Sequence, residues 1–282
     1  TDPRVQCVVS NIPVVDGWRT MQSVHGALSF RRLEALILGD RRKRLATGTL
    51  WGEGPVWFGE FNELRFSDIP NNRIMRWSPV TGLSTFRQPS QRTNGHTRDR
   101  DGNMISCEHG GRCVSRTYLD GRYETLVTHW NGKRLNSPND VVVKSDGTIW
   151  FTDPPYGIIS DHEGIRAESA IGNNQVYRFD PATGQLDVVA DDFDRPNGLA
   201  FSPDESEIYI ADSGYARGDG FGFEEGRPRH VRAFKVVEGK KLTKSRVLAV
   251  IEPAVPDGLR VDTEGLLWIS AGDGIHCYTP GG

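Results

Sequence analysis

Five polar residues, Glu53, Asn94, Asn139, Asn197 and Asp257, each stand beside a glycine or proline at the head of a short strand-like stretch: EGPVW, NGHTR, PNDVVV, PNGLAF and PDGLRV. Two are carboxylates and three are amides, and none offers sulfur or a ring nitrogen. Brought to one point, they make an all-oxygen donor set with about two negative charges, which suits a hard divalent cation. Ca2+ comes first because its coordination is flexible and water can complete its shell. A single Asn-Gly or Asp-Gly pair is an ordinary hairpin signal. Recurrence is what separates these five from turn residues, so the elements that carry them come next.

Each polar residue opens the same pattern of strand, turn and second strand ending in a polar group, as in EGPVWFGEFNELRFSD and PNGLAFSPDESEIYIADSG. A third strand follows each time: NRIMRWSPVTG, RCVSRTYLDG, NQVYRFDPATG, HVRAFKVVEG and GIHCYTP. The leading residues are spaced by 41, 45, 58 and 60 positions, with Gly-rich or charged insertions in the longer intervals. A repeat of about 40 to 50 residues with three or four strands predicts a β-propeller, because one such unit buries its faces only when neighbours stack on it radially. The fifth copy reaches CYTPGG directly after its third strand. That leaves open a five-bladed ring or one completed by other segments. Residues 1–45 fall outside the repeat and are expected to form an extension or arm, with 46–282 as the propeller domain that carries the chemistry.

In a propeller the first strand of each blade lines the central channel, so the five leading residues converge at one mouth. Second strands run back antiparallel to that mouth. Their ends, Asp68, Glu108-His109, Asp153 and Asp212-Ser213, are expected to form a polar rim. Asp68, Asp153 and Asp212 are also expected to cap the turn into the third strand. Strand alternation places His96, two residues beyond Asn94, one step deeper in the channel.

The composition narrows the partners. With 34 basic and 37 acidic side chains and a net charge of −3, the chain carries no broad basic footprint for nucleic acid or an anionic membrane. No apolar run approaches the roughly 20 residues that cross a bilayer. The start lacks the basic-then-apolar layout of a signal peptide, so the cytoplasm is expected, or the periplasm if a leader has been removed. Four cysteines at irregular spacing suggest neither a disulfide framework nor a zinc site and are read as reduced thiols. GDGFGFEEG imitates a phosphate loop but has no following helix and no Gly-Lys-Ser/Thr. It reads as a loop insertion.

EGPVW, RLNSPNDVVV, RPNGLAFSPD and VPDGLRVD resemble the signature segments of the gluconolactonase, senescence-marker-protein and luciferin-regenerating-enzyme family. GKRLNSPNDVVVKSDGTIWFTDPPYGI is especially similar to bacterial gluconolactonases. The resemblance implies a six-bladed β-propeller of four-stranded antiparallel blades, the last incomplete in this chain. It also implies one divalent ion, often calcium, held by Glu53, Asn139, Asn197 and Asp257, with Zn2+, Mg2+ or Mn2+ as alternatives. Asp257 would be the general base that activates water against a sugar lactone carbonyl. Asn94, His96, Glu108, His109 and Tyr156 would hold sugar hydroxyls. Two alternatives keep the fold: the same site acting on an aryl or homoserine lactone or a phosphotriester, and a non-catalytic propeller plugged by calcium.

Overall fold

In the computed structural model, residues 47–217 and 222–282 are described. The arm expected over 1–45, Cys7 and the first part of GDGFGFEEG lie outside the described residues. The rest is almost wholly β. Successive hairpins are closed by short turns whose side chains hold the backbone: Asp99 Oδ1 accepts from the backbone N–H groups of Asp101 and Asn103, and Asp262 Oδ1 does the same for Glu264 and Leu266. Gly102 and Gly265 close these two turns at φ of 85° and 86°, a region open to glycine and strained for other residues.

Among the described residues the strands form five antiparallel sheets of three or four strands in chain order, and one two-stranded hairpin. The first holds β1 (Gly52–Phe58), β2 (Glu63–Asp68), β3 (Arg73–Ser78) and β4 (Gly82–Arg87). The second holds β5 (Thr93–Arg98), β6 (Met104–Glu108), β7 (Cys113–Thr117) and β8 (Tyr123–Val127). A small hairpin, β9 (His129–Trp130) and β10 (Lys133–Arg134), precedes the third sheet. That sheet holds β11 (Val141–Val143), β12 (Ile149–Asp153), β13 (Gln175–Asp180) and β14 (Gln185–Ala190). The fourth is β15 (Pro196–Phe201), β16 (Glu207–Asp212), β17 (His230–Val237) and β18 (Lys241–Val250). The fifth has three strands, β19 (Leu259–Val261), β20 (Leu267–Ala271) and β21 (Gly274–Tyr278).

The expectation of six blades is therefore corrected to five among the described residues: four four-stranded sheets and one of three strands. The repeat itself contains five copies, and the sixth blade came from the resemblance. Among the described residues the other paired strands, β9 and β10, make an isolated hairpin rather than a blade.

The core lies between blades. Phe58 and Ile74 of the first sheet meet Met104 of the second. Ile105, Cys107 and Val114 meet Val141, Phe151 and Tyr177 of the third. Trp150 and Val176 meet Leu199, Ile208 and Ile210 of the fourth. Tyr209 and Ala211 meet Leu259, Leu267 and Ile269 of the fifth. Adjacent residues on β12 show why one strand serves two interfaces: Trp150 faces the fourth sheet and Phe151 the second, as the period-two alternation of a strand requires. Both are fully buried, and burying a side chain of this size contributes about 1.5–3 kcal/mol. Among the described residues, no helix is long and apolar enough to cross a membrane.

Candidate active site

The heads of the first strands approach one another so closely that side chains are excluded from the next position. A Cβ on Gly54 would stand 2.2 Å from the Asn94 carbonyl oxygen, one on Gly95 2.5 Å from that of Asn139, and one on Gly198 2.5 Å from that of Asp257. Backbone bonds fix the approach: Gly95 N–H donates to the Asn139 carbonyl at 2.8 Å and Gly198 N–H to that of Asp257 at 3.2 Å. The Thr152 hydroxyl donates to the Asn197 carbonyl at 2.8 Å. The glycines after Glu53, Asn94 and Asn197 are thus what lets these strand heads close into a ring. Gly258, in the fifth blade, has nothing within 4 Å of the same point, and there the ring opens.

Glu53, Asn94, Asn139, Asn197 and Asp257 all line one cavity of about 310 Å³. The cavity continues down the channel past His96 and Asp140 and sideways between the first and fifth blades, where Trp57, Leu64, Val261 and Trp268 line it. The Glu53 carboxylate accepts from the Trp51 indole N–H at 3.0 Å. Asn139 and Asp257 are held from behind by their own N–H groups, which donate to the carbonyls of Thr152 and Ser270 at 2.9 Å each. In the third blade the glycine position is taken by Asp140, whose carboxylate reaches across the channel to Arg260 at 3.2 Å.

His96 lies in the channel as expected from alternation, but both ring nitrogens are engaged at 2.8 Å, Nε2 with the Ser67 hydroxyl and Nδ1 with that of Ser106. Burial, helped by the nearby cations of Arg87, Arg65 and Arg260, pulls its pKa down to about 3. It is a neutral ring at neutral pH.

Rim residues divide. Glu108 is fully buried, and its carboxylate accepts from Arg87 at 3.0 Å, Ser115 at 2.7 Å and Tyr123 at 3.1–3.2 Å. It is not among the residues lining the cavity. Asp68, Asp153 and Asp212 lie at the ends of second strands, and the capping role expected for them is found at a different place. Each accepts backbone N–H groups from the segment that leads into its blade's first strand: Leu50 and Trp51, Asn136 and Ser137, and Asp194 and Arg195, respectively. Asp68 also holds the start of the third strand, through Asn71 and Arg73, and Asp212 also accepts the Gly214 N–H at 3.2 Å in the turn that leaves its second strand. Antiparallel return explains the difference, because the end of β12 lies beside the segment before β11, so that segment offers the nearest unpaired donors. Burial pushes the Asp153 carboxyl up to about 7 despite its two N–H donors.

His109 and Tyr156 lie at the same mouth. His109 is buried, Nε2 accepts from the Asn94 side-chain amide at 3.2 Å, and Nδ1–H donates to the Glu163 carbonyl at 3.2 Å, an arrangement that fixes its neutral tautomer. Desolvation lowers its pKa to about 4. Tyr156 opens a single helical turn, α1 (Tyr156–Ile159), near Ser213, whose hydroxyl donates to the Pro256 carbonyl. Burial, and then the negative charge of Asp257, raises its pKa.

Glu163 was not anticipated from the sequence. It lies in the loop between β12 and β13, and burial, reinforced by the charge of Asp257, pushes its carboxyl up to about 7. The available signal was an acidic residue in an insertion that must begin at the mouth, since TDPPYG follows a second strand.

Comparison with known proteins identifies the family. The sequence model of the SMP-30/Gluconolactonase/LRE-like region matches residues 51–282. A gluconolactonase from Zymomonas mobilis is 33% identical over 269 residues, covering 89% of this chain and 73% of its own. A pentonolactonase from Haloferax volcanii is 27% identical, covering 79% and 67%. The solved structure of a gluconolactonase from Xanthomonas campestris superposes with a TM-score of 0.76 at 35% identity, covering 84% of this chain and 75% of that one. With the model matching most of the chain and the strand-head ring in register, this protein belongs to the SMP-30/gluconolactonase/LRE family.

Proposed function

We propose that this protein hydrolyses sugar lactones of the gluconolactone type, using a divalent cation held by Glu53, Asn139, Asn197 and Asp257. The observation that carries the reading is the convergence of these four residues on one cavity, with oxygen donors only and two carboxylates. That donor set fits a hard cation, calcium first. When bound there, the ion would polarise the lactone carbonyl and acidify a water molecule.

The chain's own residues do the rest. Asp257 accepts the proton of the attacking water as its oxygen bonds to the carbonyl carbon. The bond from that carbon to the ring oxygen then breaks, and the ring oxygen takes up a proton to give the hydroxy acid. Asn94 and His109 form a neutral polar wall beside the reacting ring, and Tyr156 and Ser213 form another. His96 and Glu108, with their polar atoms engaged inside the scaffold, hold the channel and the second blade in place. The compartment we propose is the cytoplasm, where the buried thiols of Cys107 and Cys113 stay reduced.

The test is pH-stat titration with glucono-δ-lactone, together with a thermal melt, before and after chelation and metal re-addition. Chelation is expected to abolish acid release and lower Tm together, because an ion that binds only the folded state at a hundred times its Kd stabilises by about 2.7 kcal/mol. Full activity in excess chelator, with metal loss verified, would sink the reading.

A further inference from the structure

Glu163 is a carboxylate that the mechanism above leaves unused. Its side chain is only 18% exposed, and among the described residues no group donates a hydrogen bond to its carboxylate. The nearest basic atom, His109 Nδ1, is 3.9 Å away, and that nitrogen is bonded to the Glu163 backbone carbonyl instead. Half-buried and without a donor among the described residues, the carboxylate keeps its acceptor oxygens for a bound molecule.

The loop around Glu163 is built rather than loose. Ile165 N–H donates to the Gly157 carbonyl at 2.9 Å and Ala167 N–H to that of Ile158 at 3.0 Å, which folds the loop back on the helical turn. Arg92 donates to the His162 carbonyl at 2.8 Å, tying the third blade's loop to the second blade. Gly164 is pressed against Gly157 so tightly that a Cβ would stand 1.9 Å from the Gly157 carbonyl oxygen. These bonds fix Glu163 beside His109, at the mouth where Asn94 stands. The hydrogen-bond chain from Asn94 through His109 ends at its backbone.

We infer that Glu163 is a specificity-determining residue that accepts hydrogen bonds from the hydroxyl groups of a polyhydroxylated lactone seated over the strand-head ring. The inference rests on the lactonase reading. A sugar ring brings donors to the covered carboxylate, whereas an unhydroxylated ring of the same size leaves it unpaired, and sites of this kind discriminate strongly against the analogue that lacks the hydroxyl.

The experiment compares glucono-δ-lactone with δ-valerolactone on wild type, Glu163→Ala and Glu163→Gln, loaded with Ca2+, with Tm recorded for each. The readout is the ratio of kcat/KM for the two lactones, or of their KM to competitive Ki if δ-valerolactone binds without turnover. Glu163→Ala is expected to lower the preference for the hydroxylated lactone by roughly 10- to 100-fold, mostly through KM, as loss of a hydrogen bond to a charged acceptor does. Glu163→Gln, which keeps one acceptor oxygen, should fall between. Equal losses on both lactones at unchanged Tm would overturn the inference, because Glu163 would then act on the chemistry or the metal. No loss on gluconolactone would overturn it as well. Wild type inactive on both lactones would instead sink the lactonase reading, and this inference with it.

Discussion

Asn139 and Asp153 are the two polar ends of one hairpin, at the same end of the blade, and their side chains do different things. Asn139 heads the first strand. Its backbone is fixed from both sides, by Thr152 behind and Gly95 in front, and its side chain lines the cavity with Glu53, Asn197 and Asp257. Asp153 ends the second strand, fully buried, with both carboxylate oxygens taken by the N–H groups of Asn136 and Ser137 at 2.8 Å. Asp68 and Asp212 repeat the second arrangement, and Glu108 replaces it with a cluster of side chains. A position in the repeat therefore says where a polar group stands, while its hydrogen bonds say whether it serves the scaffold or faces the cavity.

The strongest way to break this comparison is at Asp257, where holding a cation and accepting a proton can be separated. Asp257→Asn keeps an oxygen that can reach the ion, but an amide cannot take the proton of water. With metal supplied to saturation, kcat for glucono-δ-lactone is expected to fall by about 10²- to 10⁴-fold, the usual cost of losing a general base. Near wild-type kcat in the metal-loaded variant would move the base elsewhere at the mouth.

Asn197→Ala removes one ring oxygen while leaving the backbone that accepts from Thr152. Apparent metal affinity, read by calcium titration of Tm, is expected to weaken by about tenfold or more, since even outer-shell changes at metal sites cost that much. Activity should recover as calcium is raised. If activity instead falls at saturating calcium while affinity holds, Asn197 contacts substrate rather than metal.

The ring was legible in the sequence because strand heads recur with their polar residue, four of the five with a glycine after it, and that recurrence reflects a physical need: a Cβ at Gly54, Gly95 or Gly198 would stand 2.2–2.5 Å from a neighbouring carbonyl oxygen. Blade number was not legible in the same way. Five copies can be counted, but the sixth was inferred from kinship, and the described residues form five sheets. The rim was half legible: Asp68, Asp153 and Asp212 share a register, yet which donors they meet depends on the antiparallel return of the chain. Glu163 had no register to betray it, because insertions obey no repeat. Its place follows from tertiary bonds such as that between Arg92 and His162.

The smallest catalytic effect is expected at Asp153, and there the comparison is sharpened by pH. Asp153→Asn leaves one oxygen for two N–H donors, so one of the Asn136 and Ser137 amides faces an NH2 group and loses its partner. Stability should fall by about 1–3 kcal/mol, the cost of a buried unsatisfied donor, while kcat changes by less than roughly threefold. In the wild type burial raises the folded-state pKa from 3.8 to about 7, so between these values the folded protein holds a proton that the unfolded chain has released. Stability contributed by that proton is complete below the unfolded value and is lost as pH rises through about 7. The amide has no such dependence. Chemical denaturation of both proteins at pH 5 and pH 8 should therefore show the gap between them narrowing at the higher pH. A gap that widens instead would mean that the two N–H donors outweigh burial and that Asp153 is anionic in the folded protein.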